Sequence, residues 1–219
     1  MEFSTVEVAL EHLQKGGFII LADDEGRENE GDLVALAQDI QPAVVYQMLH
    51  EANGLMCVPM PKALTEKLGF TPMVKHSTDP HGTPFTITAD GTLEATGVTT
   101  GVSAFDRAAT IQQMAKPDAK ATDFNHPGHI QPLYAQPNGL RDRVGHTEAA
   151  VDLAYLAHRQ PVAVIIEVLK ADGTMARRDA LAGMADRLEV PFLTIDAIFK
   201  YMDDHGIVKA ADEVAELVK

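Results

Sequence analysis

Residues 18–37 read Phe18-Ile19-Ile20-Leu21-Ala22, then Asp23-Asp24-Glu25-Gly26-Arg27-Glu28-Asn29-Glu30-Gly31-Asp32, then Leu33-Val34-Ala35-Leu36-Ala37. The first apolar run follows Gly16-Gly17 and predicts a short strand covered on both faces. The second run predicts another buried segment, so a very polar loop is held between two rigid pieces. Six of the ten residues from Asp23 to Asp32 are carboxylates. A charge run of this kind is ordinarily a solvated turn. A loop leaving a buried strand is also where a scaffold presents chemistry. An EF-hand calcium loop needs oxygen ligands at alternate positions before a fixed glycine, and no alignment on Gly26 or Gly31 provides them.

Upstream, Ser4-Thr5-Val6-Glu7 is a capping-box pattern that opens a helix carrying Val6, Leu10 and Leu13, stopped by Gly16-Gly17. Downstream, Pro42 opens a helix ended by Asn53-Gly54, and Leu55 to Val58 is a short strand containing Cys57. Three prolines and one glycine between Phe70 and Pro84 predict a long mobile loop, and Phe85 to Thr88 alternates as a strand. Ser103 caps a helix reaching about Met114. Lys116 to Arg143 is expected to be rich in loops around Asn125-His126-Pro127-Gly128-His129. A helix starts near Thr147, and Val162 to Leu169 is the clearest buried strand, closed by an Asp172-Gly173 turn. A helix, a strand at Val190 to Ile195 and a final helix follow. We expect one α+β domain over residues 1–219: a mixed β-sheet with surrounding helices and long active-site loops.

Apolar residues are 46% of the chain and charged residues 23%, ordinary globular usage. A net charge of −14 repels phosphate backbones and argues against nucleic-acid binding. The apolar runs, of which Val162 to Ile166 is one of the longest, are too short to span a bilayer, and the first residues lack a signal-peptide pattern. One cysteine, Cys57, makes neither an internal disulfide nor a multi-cysteine zinc site. The expected compartment is cytoplasmic, without membrane.

The acidic loop resembles the signature of dihydroxybutanone phosphate synthases. The resemblance continues, in family order, through Gly97-Val98-Thr99-Thr100-Gly101-Val102-Ser103-Ala104-Phe105-Asp106-Arg107 and Pro127-Gly128-His129. It then runs through Gly145-His146-Thr147-Glu148-Ala149 and Asp172-Gly173-Thr174-Met175-Ala176-Arg177. It implies a lyase that converts D-ribulose 5-phosphate to L-3,4-dihydroxy-2-butanone 4-phosphate and formate through a metal-stabilised enediolate. Two magnesium ions per active site, or manganese, are implied, with no organic cofactor; Glu28 and His146 are the implied metal ligands. Few protein ligands suffice for magnesium when substrate oxygens complete its shell.

The same resemblance places the substrate phosphate at Arg143-Val144-Gly145-His146-Thr147, and an expected helix start is a natural anion site. Arg143 adds a forked cationic donor and Thr147 a hydroxyl. Arg27 and Asp32 match residues that contact the sugar. Glu30 joins the carboxylate cluster as a proton acceptor or an orienting group. Glu167 stands in the apolar run Val162 to Leu169, where burial would raise its pKa into the useful range. His129 matches the other essential residue. Cys57 matches a cysteine near the substrate, although such a residue is more often an inert small hydrophobe. Thr99, Thr100, Asp106 and Arg107 fall in a block expected to shape the site. The resemblance also implies a homodimer with active sites near the subunit interface.

The chain departs from the family pattern at His126, where an arginine usually precedes Pro-Gly-His. It departs also at Gln131, at Tyr134 and over Val168-Leu169-Lys170-Ala171. In many bacteria this domain is fused to a GTP cyclohydrolase. With one cysteine and an end at Lys219, we expect the synthase alone. Another divalent-metal-dependent sugar-phosphate lyase or isomerase on the same scaffold, and a non-catalytic metal-binding module, are the rival readings.

Overall fold

The structure, a computed structural model, describes residues 3–208; the ends of the 1–219 domain expected above lie outside the described residues. Seven strands form one mixed sheet: β1 Phe18–Ala22, β2 Gly31–Leu36, β3 Cys57–Pro61, β4 Ala89–Gly91, β5 Phe124–Ala135, β6 Ala163–Glu167 and β7 Phe192–Thr194. Their order across the sheet is β4-β5-β3-β6-β2-β1-β7. The β1–β7 and β3–β5 pairs are parallel and the other four antiparallel. Strands and helices interleave along the chain, and the fold class is α+β, as expected.

Helices cover both faces. In β1, Phe18, Ile20 and Ala22 enter one core with α2 (Pro42–Ala52), α5 (Ala104–Met114) and α7 (Arg178–Leu188). Ile19 and Leu21 enter the other core with α1 (Val6–Gln14), α6 (His146–Leu156) and α8 (Ile195–Asp204). Alternate residues thus serve opposite layers, so a strand without polar positions is stable at the centre. Two short helices, α3 (Lys62–Lys67) and α4 (Leu93–Thr96), complete the set. Among the described residues, no helix is long and apolar enough to cross a membrane.

Local differences from the expected elements have physical causes. Thr5, not Ser4, caps α1, its hydroxyl accepting from the Val8 N–H. Ser4 instead exchanges hydrogen bonds with Phe192. Phe85 to Thr88 makes only isolated bridges, with Leu133 and Pro72 as partners. The strand expected at Leu55 begins at Cys57 and continues through two prolines to Pro61. The largest correction is β5: the stretch expected to be loop around Pro127-Gly128 is a twelve-residue strand, with a cis His126–Pro127 peptide. Its first half runs along the sheet's edge beside short β4 with a register irregularity, where proline and glycine are tolerated.

Candidate active site

The acidic loop is organised by its first residue. Asp23 is buried, and its carboxylate accepts from the Glu28 N–H at 3.1 Å, the Glu30 N–H at 2.8 Å and Arg27 Nη1 at 2.9 Å. Three groups of one loop thereby share one anchor. Arg27 Nη2 also lies 3.0 Å from Glu28 Oε1.

Glu28 is brought to His146, the first residue of α6. One ligand atom each from Asp23, Glu28 and His146 lies within 4.8 Å of the others. His146 is buried, with Nε2 3.2 Å from the Leu21 carbonyl. A carbonyl only accepts, so the proton belongs on Nε2 and Nδ1 keeps its lone pair. Burial pushes the His146 pKa down against the pull of Asp23 and Glu28, which keeps the ring neutral.

Gly145 is the N-cap of α6 and supplies no side-chain cap, so the first-turn N–H groups are left to a ligand or solvent. A Cβ at Gly145 would sit 2.5 Å from Arg143 Nη1 and 3.0 Å from Arg27 Nη2. Two guanidinium groups therefore converge where only a glycine leaves room. Arg143 is aimed by Glu148, fully buried on α6: Oε2 accepts from Nη1 at 2.7 Å while Oε1 accepts from the Gln136 N–H. Burial raises the Glu148 pKa and Arg143 opposes the rise. Thr147 is buried beside His146.

Beneath this lies the end of the sheet. Asp32 of β2 stands opposite Glu167 of β6, and Cys57 of β3 opposite Ile165. Strand alternation puts all four on the α6 face. Asp32, Cys57 and Glu167 line one small cavity with Arg27, Glu28, Glu30, Arg143, His146 and Thr147.

The burial expected at Glu167 is only partial. The strand ends at this residue, which is half-buried, and its Oε2 accepts from the Leu55 N–H at 2.7 Å. A Cβ at neighbouring Gly54 would lie 2.6 Å from that oxygen. The carboxyl that burial does hold far above its ordinary range is Asp32, with Glu167 and Glu28 adding to the effect. Glu30 is raised more modestly, by burial first and then Glu28. Burial pushes the Cys57 thiol far up, so it remains protonated.

Three expected residues are absent from the cavity's lining: Gly145, the N-cap of α6, together with Val144 and His129. The side chain of Val144 is half exposed and lines a neighbouring, larger cavity of about 660 Å³ with Phe3, Arg178 and Phe199. That larger space takes in Asp23, Asp24 and Asp196, whereas the small cavity gathers Glu28 and His146 of the metal-competent cluster together with Arg143 and Thr147. His129 is absent from the small cavity's lining as well. It sits on the edge half of β5, where its N–H and Nδ1 meet the two oxygens of Asp90 at 2.9 and 2.7 Å. Of the departures, His126 rests against the Phe70 ring and the Thr88 carbonyl, and Gln131 is buried with Nε2 on the Thr86 carbonyl. Asp23, Glu148 and Asp90 were given no site role from sequence; the first two lie inside quoted blocks, but only packing shows their work. Thr99, Gly101 and Asp106 do shape a turn, three backbone N–H groups converging on the Asp106 carboxylate.

The sequence pattern of 3,4-dihydroxy-2-butanone 4-phosphate synthase matches residues 7–201. The chain belongs to that family. It is 46% identical over 203 residues to the riboflavin biosynthesis protein RibBA of Bacillus cereus strain G9842, covering 93% of this chain and 50% of that protein. The chain thus spans about half the length of the curated relatives it matches. A 3,4-dihydroxy-2-butanone 4-phosphate synthase solved in complex with two magnesium ions superimposes with a TM-score of 0.88 at 34% identity, over 94% of this chain and 100% of that one. The Candida albicans synthase gives 0.83 at 40% identity, over 92% and 99%. The two-domain synthase RibBX of A. baumannii gives 0.86 at 40%, over 91% of this chain and 58% of that one. Family membership thus agrees with the resemblance carried by the acidic loop and the α6 start.

Proposed function

We propose that this chain is a divalent-metal-dependent carbon–carbon lyase of riboflavin biosynthesis, converting D-ribulose 5-phosphate to L-3,4-dihydroxy-2-butanone 4-phosphate and formate. One observation carries the reading: a metal-competent cluster and a phosphate-competent helix start meet over the Asp32–Glu167 end of the sheet. The donor set fits magnesium, which takes hard oxygen ligands, needs few from the protein and leaves room for substrate and water. Glu28 and His146 would hold it, two ions per site, with manganese as a substitute. Asp23 is already committed to the loop and orients it. Bound there, the metal supplies charge stabilisation to oxygens that turn negative during the reaction.

The chain's own groups divide the remaining work. Arg143, Thr147 and the free N–H groups of α6 hold the phosphate, while Arg27 and Glu30 border the sugar. Glu167 takes the proton from C3, leaving an enediolate. Asp32, whose carboxyl burial raises well above its ordinary range, donates to the C1 hydroxyl as it departs as water. After the skeleton rearranges, one water returns and C4 leaves as formate, so the atoms of substrate and products balance. The neutral Cys57 thiol packs beside the reacting carbons.

His129 carries its Nδ1 on Asp90, which leaves Nε2 for proton transfer, yet it stands outside the cavity of its own chain. We place it in the site of a second copy, in a homodimer. Arg107 ties the carbonyls of Val102 and His129 together, and Val102 and Phe105 are exposed apolar side chains on that side of the molecule. Such a patch supports a partner contact. We place the enzyme in the cytoplasm, without nucleic-acid or membrane partners, consistent with its acidity. Formate release from ribulose 5-phosphate, with magnesium and with EDTA, tests the reading. Release should depend on metal. An isomerised sugar phosphate without formate would contradict it.

A further inference from the structure

We propose that Arg177 is a positioning residue that clamps the acidic loop in its metal-ligating shape, an inference that rests on the metal site proposed above. The block from Asp172 to Arg177 has no role in the cavity. After β6 the chain turns through Asp172-Gly173 and returns, with Leu169 bridging Met175 and the Ala176 N–H on the Val168 carbonyl at 2.9 Å. The Val168 N–H in turn donates to the Gly31 carbonyl at 2.9 Å. This hairpin is stitched to the end of the acidic loop and delivers Arg177 beside it.

Arg177 Nη1 donates to the Glu28 carbonyl at 2.8 Å and to the Asn29 carbonyl. The Glu30 carboxylate is farther away, at 3.9 Å. Arg177 is therefore not an ordinary surface ion pair: its close partners are neutral backbone oxygens on the metal-ligand residue and its neighbour. Asn29 holds a φ of +55°, which a non-glycine residue adopts at some cost unless its surroundings fix it. Fixing the peptides on both sides of Asn29 fixes the direction in which Glu28 leaves the backbone. The Arg177 side chain is half exposed, so core packing is not its purpose.

Two effects of losing Arg177 have opposite signs. Removing a positive charge favours cation binding, but that effect is weak for an exposed, screened group. Releasing the loop disfavours binding, and the loss of an outer partner of a metal site typically costs ~10–100-fold in affinity. The clamp predicts that release wins.

Manganese titration of the metal-free protein, followed by the resonance of free Mn²⁺, reads this without turnover. Arg177→Gln should weaken manganese binding about tenfold with its melting temperature nearly unchanged. Arg177→Lys, which still reaches a carbonyl, should bind between the two. Unchanged or tighter binding by Arg177→Gln, alongside loss of binding in Glu28→Gln, overturns the clamp and leaves the metal site standing. Wild-type binding in Glu28→Gln overturns the metal site and the clamp with it.

Discussion

Two regions hold the residues that the family resemblance marks as essential, and they are built in opposite ways. At the end of β2 and β6, Asp32 is buried among like charges while Glu167 faces it across the ladder. On the edge half of β5, His129 is exposed and carries its carboxylate partner, Asp90, with it. The first region lines a cavity within one chain, and its buried Asp32 costs stability; the second is oriented by Asp90 and lies outside that cavity. The difference teaches that a cavity-lining carboxylate cluster and an exposed histidine oriented by Asp90 are separate structures within one chain; the homodimer proposed above would join them as two half-sites.

The sharpest way to break the first half is at its ligands. Glu28→Gln and His146→Ala should each abolish formate release. Glu28→Gln should leave the fold nearly intact, because its side chain lies on a surface loop. Wild-type turnover in either variant contradicts the ligand assignment. Glu167→Gln is expected to lose about 10²–10⁴-fold in rate with substrate binding retained, which turnover and calorimetry together resolve. Activity surviving in a strongly destabilised protein would show instead that Glu167 holds Gly54-Leu55 in place.

Asp32 gives a smaller effect of the opposite sign. Below the ordinary carboxylate pKa of about 3.9, folded and unfolded chains both carry the proton and the residue costs nothing. As pH rises through that value the unfolded chain ionises first, because the folded pKa is raised, and stability falls. Asp32→Asn should therefore raise the melting temperature by about 2–4 °C at pH 7 in EDTA. The gain should vanish on acidification, and turnover should be lost. Unchanged melting at neutral pH would contradict the burial account.

What was legible in the sequence was contiguous. The acidic loop, the Pro42 and Asn53 bounds of α2 and the His146-Thr147 helix start each carry their signal within a few residues. Misreadings came where a partner decides. Pro127-Gly128 reads as loop, yet the edge position beside β4 admits both into β5. Glu167 read as deeply buried because Val168-Leu169 extends its apolar run, but those residues begin the hairpin that returns to Arg177. The burial expected there belongs to Asp32, whose flanking Gly31 and acidic neighbours gave no local hint. Glu148 and Asp90 could be recognised only once Arg143 and His129 were seen resting on them.

Mixing two dead variants tests the two-half-site account most directly. Glu28→Gln and His129→Ala are unfolded together, refolded and assayed for formate. If His129 acts in the partner's site, half of randomly assorted dimers are mixed and each holds one intact site, restoring about a quarter of wild-type activity. If both residues act within one chain, every site in every dimer carries a defect and no activity returns, which would contradict the account.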